Sequence, residues 1–158
     1  MSRTRRAARI GLPLIFAAMA LGVPAAASAA PPPNHPTFRS DFIVGDEDAN
    51  TLFGRAGADL IFGLGGDDTL YGNLGADRLF GGIGADTLYG GLGADTLRGG
   101  PGPDIMRGGP GNDLILAAGD DAIDTVDCGR GGADVAIVDP TDVVSRDCEY
   151  IWVRDPGV

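Results

Sequence analysis

Between Gly54 and Leu116 a nine-residue phrase repeats seven times without an insertion. One copy reads Gly81-Gly82-Ile83-Gly84-Ala85-Asp86-Thr87-Leu88-Tyr89. A period this short leaves few folds open, because every ninth residue has to meet the same surroundings. Column one is glycine throughout: Gly54, Gly63, Gly72, Gly81, Gly90, Gly99 and Gly108. Column four is glycine too: Gly57, Gly66, Gly75, Gly84, Gly93, Gly102 and Gly111. Glycine held at fixed phase marks backbone that bends tightly or reaches positive φ. Column six is always aspartate: Asp59, Asp68, Asp77, Asp86, Asp95, Asp104 and Asp113. Column eight is always apolar: Ile61, Leu70, Leu79, Leu88, Leu97, Met106 and Ile115. Each unit therefore reads as a glycine-rich turn, one carboxylate and a three-residue strand. The middle side chain of that strand turns inward, and columns seven and nine turn out.

Two units make one coil, with a strand on each side and a turn at each edge. The pattern predicts an all-β parallel solenoid in which residues eighteen apart stack. Asp59, Asp77, Asp95 and Asp113 then line one edge, and Asp68, Asp86 and Asp104 line the other. Rungs of a sheet lie about 4.8 Å apart, so bare carboxylates at that spacing repel. A hard cation between them resolves the conflict. Calcium fits, since it takes about 6–8 oxygen ligands and accepts carboxylates and backbone carbonyls alike. Five cross-coil pairs result: Asp59 with Asp77, Asp77 with Asp95, Asp95 with Asp113, Asp68 with Asp86, and Asp86 with Asp104. A weaker copy, Gly45 to Phe53, places Asn50 in the carboxylate column and Leu52 in the core column, and predicts a poorer sixth site with Asp68.

Other readings of a glycine-rich tract fail on phase. A low-complexity linker does not keep three independent columns in register. Collagen needs glycine at every third position, and the EF-hand loop has different spacing and a Glu at its twelfth position.

The flanks set the context. Arg3, Arg5, Arg6 and Arg9 precede an apolar run from Ile10 to Val23 and a small-residue cleavage pattern at Ala27-Ser28-Ala29. Residues 1–29 thus read as a secretory signal peptide, with no membrane insertion of the mature chain. The export route, general secretory or twin-arginine, stays open. Loss of four leader arginines deepens the net charge from −10 to −14. So acidic a chain argues against nucleic-acid partners and anionic membranes. Residues 30–44 form a proline-rich leader and an opening strand near Asp41-Phe42-Ile43-Val44. Residues 45–116 form the roll, and residues 117–158 hold degenerate repeats and a cap. In that tail Asp124-Thr125-Val126, Gly129 to Ile137 and Asp142-Val143-Val144 keep fragments of the pattern. Tyr150-Ile151-Trp152-Val153 reads as bulky cover for the last rung. Cys128 and Cys148, the only cysteines, lie about one coil apart and predict a disulfide that staples the cap.

Catalysis has little to work with. His35 is the only histidine, which excludes a His-ligated zinc protease motif and a Ser-His-Asp triad. Ser40 and Ser145, the only serines after the leader, sit in no nucleophile elbow. The column-six carboxylates share one environment, whereas catalytic pairs are set apart by different ones. The chain reads as a non-enzyme.

Residues 45–116 resemble the RTX (repeats-in-toxin) calcium-binding family. The resemblance implies a right-handed parallel β-roll with calcium ions between turns. The seven column-six aspartates would supply side-chain ligands. Carbonyls of the glycine turns would stand beside them, at Gly82, Gly84, Gly91, Gly93, Gly100, Gly102, Gly109 and Gly111. Arg55, Leu64 and Asn73 depart from glycine in column two, which implies weaker binding in the early turns. The tail around Asp127-Cys128-Gly129 and Cys148-Glu149 is similar to that of small secreted actinobacterial calcium-binding repeat proteins. The expected function is a secreted, extracellular calcium-binding module that folds on binding several calcium ions. The alternative is an adhesion or matrix protein presenting its outer face to a cell-surface or matrix partner; an enzyme such as a polysaccharide lyase is less favoured.

Overall fold

A computed structural model describes residues 39–120 and 122–154. The expected signal peptide, residues 1–29, and most of the expected leader, residues 30–44, lie outside the described residues. The chain winds through thirteen strands and, among the described residues, no helix. They are β1 (Phe42–Val44), β2 (Thr51–Ala56), β3 (Leu60–Gly65), β4 (Thr69–Leu74), β5 (Arg78–Ile83), β6 (Thr87–Leu92) and β7 (Thr96–Arg98). Then follow β8 (Ile105–Arg107), β9 (Leu114–Leu116), β10 (Thr125–Asp127), β11 (Val135–Val138), β12 (Val143–Val144) and β13 (Tyr150–Val153). Odd-numbered strands form one seven-stranded sheet and even-numbered strands a six-stranded sheet, each in winding order. All pairings are parallel. The result is a two-sided parallel β-solenoid of about six turns.

Register follows the columns. Leu70 lies opposite Leu52 and Leu88, and Leu79 opposite Ile61 and Leu97. The seven column-eight side chains fill the space between the sheets and are 0 % exposed. Ile43, Leu52, Val126, Ala136 and Val138 lengthen that core at both ends. The three tail fragments become β10, β11 and β12. Insertions are absorbed in the turns: successive column-six positions lie 20 and 21 residues apart at Asp104/Asp124 and Asp113/Asp134, against 18 in the regular windings.

Two features differ from the expectation. Strands β2 to β6 have six residues each, running through column nine into columns one to three. Glycine's low strand propensity hides this extension, but the backbone pairs regardless; Asn73 lies opposite Gly91. The extension stops at β7 and β8, where column three becomes Pro101 and Pro110, which have no N–H to give a ladder. The bulky tail residues, second, do not cover the last rung. They are that rung, and Trp152 is 66 % exposed.

Cys128 and Cys148 form a disulfide with Cα atoms 5.1 Å apart, joining neighbouring windings near the C-terminus. Outward on the even sheet, Phe53, Tyr71 and Tyr89 stack with ring centroids 4.9 Å apart, and Arg107 lies over the Tyr89 ring. Phe62 and Phe80 stack likewise on the odd sheet. Beside the first file runs a groove of about 730 Å³ lined by Phe53, Arg55, Asn73, Leu74, Leu92 and Pro110.

Candidate metal centre

Every column-six aspartate sits where a turn hands over to a strand, and its side chain is buried in the solenoid. Asp59 to Asp113 are buried to within 1–2 % of full coverage. They form the two expected ladders, one winding per step. In each ladder the backbone N–H of one aspartate donates to Oδ1 of the aspartate one winding later. The first runs Asp59 to Asp77 (2.7 Å), Asp77 to Asp95 (2.8 Å) and Asp95 to Asp113 (2.9 Å). The second runs Asp68 to Asp86 and Asp86 to Asp104, both 2.8 Å. Spacing placed the carboxylates, but the backbone donor that steadies each one has no signature in side-chain identity.

The other oxygen is orphaned. Oδ2 of Asp59, Asp68, Asp77, Asp86, Asp95, Asp104 and Asp113 is buried without a hydrogen-bond partner, and so is Oδ2 of Asp124 and Asp134. A buried, unpaired carboxylate oxygen is costly unless a cation or a donor meets it. These oxygens crowd the column-one glycines. A methyl group on Gly54 would fall 2.5 Å from Asp59 Oδ2 and 2.9 Å from the Gly72 carbonyl oxygen. On Gly90 it would fall 2.5 Å from Asp95 Oδ2 and 2.7 Å from the Gly108 carbonyl oxygen. Column one is glycine because that space holds a carboxylate oxygen and the next winding's carbonyl.

The electrostatics agree. Burial pushes Asp68, Asp77, Asp95 and Asp113 up to about 6, Asp124 to about 7 and Asp104 to about 8. The backbone hydrogen bond opposes the rise, and neighbouring carboxylates add to it: Asp124, Asp86 and Asp120 around Asp104. Asp59, Asp86 and Asp134 are raised as well, first by burial. The chain has stacked like charges in a dry interior.

Of the glycines expected to lend carbonyls, Gly82 and Gly91 lie in the extended ends of β5 and β6, and the others lie between strands. Gly82, Gly84, Gly91, Gly93, Gly100, Gly102 and Gly109 have positive φ. They stack closely as well: a Cβ on Gly84 would strike the Gly66 carbonyl, and one on Gly102 the Gly84 carbonyl. Gly111 forms a parallel bridge with Gly131. Arg55, Leu64 and Asn73 hold positive φ without being glycine, at 83°, 87° and 76°.

The ladders outrun the perfect repeats. Asp104 N–H donates to Asp124, Asp124 to Asp142, Asp113 to Asp134, and Asp134 to Glu149 Oε2. Insertions that shift the phase conceal these rungs, although Asp124 and Asp134 each precede a recognisable strand. At the other end Asn50 takes the carboxylate's place, its N–H donating to Asp68 Oδ1. Its amide is satisfied by accepting from Asp46 N–H and donating to Asp46 Oδ1, so it leaves no orphaned oxygen. Among the described residues no three His, Cys, Asp or Glu side chains converge to hold a metal. A cation here would have to draw on carboxylates of neighbouring windings together with backbone carbonyls.

Fold and site together define a parallel β-solenoid whose interior edges carry two ladders of buried, half-satisfied aspartates. The RTX calcium-binding nonapeptide repeat matches the chain in four copies, at residues 37–70, 62–97, 71–106 and 89–123, which together cover more than half of it. The chain belongs to this family, whose repeats bind calcium. No curated protein matches the chain.

Proposed function

We propose that this protein is a secreted calcium-binding β-roll whose windings are completed by calcium, and that it catalyses no reaction. The single observation that carries the reading is the set of nine buried Oδ2 atoms without partners, arrayed in two ladders. Asp59, Asp68, Asp77, Asp86, Asp95, Asp104 and Asp113 would hold the ions with turn carbonyls, and Asp124 and Asp134 would extend both ladders. Calcium supplies charge neutralisation and oxygen coordination there. The chain's own part is to hold Oδ1 on a backbone N–H, so that Oδ2 stays aimed at the glycine-lined space. Without the cation, stacked carboxylates oppose the fold; with it, they become cross-links between windings. Secretion suits this, because extracellular calcium-binding modules work at about 10⁻⁴–10⁻³ M.

Calorimetry and far-ultraviolet circular dichroism on one sample, titrated with calcium and then with magnesium, test the proposal. The expected outcome is saturable calcium binding with a gain of strand signal, and a much weaker response to magnesium. A chain already fully folded in chelator and unmoved by calcium would overturn it.

The groove beside the Phe53–Tyr71–Tyr89 file favours a second reading, in which the roll presents that face to a cell-surface or matrix partner. Retention on cell-wall polysaccharide, lost on replacing Phe53 and Leu92 by Ser, would support it.

A further inference from the structure

The two ends of the solenoid are not equally finished. At the N-terminal end Ile43, the inward residue of β1, is only 8 % exposed, and Leu52 of β2 is 5 % exposed. At the C-terminal end β13 pairs with β11 alone, and its outer edge is free among the described residues. All four of its residues are exposed, the inward-file Ile151 to 46 %. Ile151 is in register with Ala136 and, beyond it, Ile115, so its exposure is the bare end of the core. A free strand edge displays unpaired N–H and C=O groups, and proteins ordinarily blunt one with charge, proline or a bulge. Tyr150-Ile151-Trp152-Val153 carries neither charge nor proline.

We propose that this edge pairs with its own counterpart in a second copy of the chain, β13 against β13, antiparallel about a two-fold axis normal to the sheet. Such an axis keeps the inward files of both copies on one face, so residues that face each other must have the same parity in the strand. With the axis at Trp152, Trp152 meets Trp152 of the second copy, Ile151 meets Val153, and Tyr150 meets Arg154. The inward pairs are aliphatic against aliphatic, and they close the exposed end of the core. The outward pairs are indole with indole and phenol with guanidinium, both favourable cross-strand combinations. Within these three pairs no two like charges stand opposite. A head-to-tail stack would instead set β13 against β1, whose inward Ile43 is already buried, and would extend without closing. The two-fold pair is therefore the favoured occupant.

The only tryptophan of the chain lies on the axis and serves as the probe. Light scattering on the chain without residues 1–29 in millimolar calcium should give twice the mass of that single chain, with Trp152 emission shifting to the blue as dilute protein is concentrated. Trp152→Lys should halve the mass and leave the circular dichroism spectrum unchanged, since the side chain already faces solvent in the single chain. Trp152→Cys should cross-link into a dimer under oxidising, non-reducing conditions, as only a two-fold arrangement brings position 152 against itself. A single-chain mass for the wild type at high micromolar concentration would overturn the proposal. So would a dimer whose mass and emission ignore Trp152→Lys and which the cysteine fails to link.

Discussion

Each ladder aspartate gives its two oxygens different tasks: Oδ1 accepts a backbone N–H from the winding before, and Oδ2 is left for a cation. Separating the tasks is a matter of one atom. Asp86→Asn keeps the acceptor for Asp68 N–H and replaces the orphaned anionic oxygen with a neutral group. The calcium-free roll should gain about 1–3 kcal/mol in this variant, the usual penalty of an unsatisfied buried polar group. Its calcium-induced stabilisation should shrink. Thermal melts with and without calcium read both changes, and equal losses in the two conditions would refute the division. Leu64 offers a second test. It holds a φ of 87° in a column where later repeats use glycine. A left-handed backbone costs a residue with a Cβ roughly 1–2 kcal/mol. Leu64→Gly should therefore raise the denaturant midpoint by an amount worth up to about 1 kcal/mol, after glycine's greater freedom in the unfolded chain.

At the scale of the strand, the columns carried most of the fold. Column eight named the core, and the eighteen-residue period named the register, because each column holds one chemistry throughout. What the residues could not announce is whatever depends on backbone. Strands β2 to β6 reach through glycine to six residues, and only Pro101 and Pro110 show where such an extension must stop. The donors to Oδ1 are main-chain groups, and the rungs at Asp124 and Asp134 fall out of phase after insertions. Trp152 reads as cover until the strand order makes it the last rung. Two outcomes are expected of the elements. Leu88→Ala, a cavity at a fully buried position in the middle of the stack, should cost about 2–5 kcal/mol. Reducing Cys128–Cys148 opens a loop with a sequence separation of 20 and should cost about 3 kcal/mol. Hydrogen exchange should then show β12 and β13 opening first while β4 to β6 stay protected.

Over the whole molecule, proton and calcium compete for the same oxygens. Burial raises Asp68, Asp77, Asp95, Asp113, Asp124 and Asp104 to about 6–8 in the folded, calcium-free chain, above the ordinary value near 3.8, and pushes Asp59, Asp86 and Asp134 in the same direction. Groups that hold protons more tightly when folded make folding take up protons. Stability from this source is full at or below the ordinary carboxylate value and is lost as pH rises through 6 to 8. The calcium-free roll should therefore melt at higher temperature at pH 5 than at pH 8. Calcium affinity should run the other way and strengthen as pH rises and the oxygens shed their protons. A pair of melting series across that range, one with calcium and one without, should lie close together at low pH and separate as pH rises; parallel series would mean that the ladders do not govern stability. The eighteen-residue step between stacked aspartates has a further consequence for how such a protein can change length. Excising one such step, such as residues 72–89, rejoins like column to like column on the same sheet, so the gene can shorten or lengthen by whole turns without relearning its fold. Loss of a single nonapeptide would instead exchange the two faces of everything downstream and split the aromatic file that runs from Phe53 to Tyr89. Size in this architecture is inherited in quanta, and the quantum is two repeats.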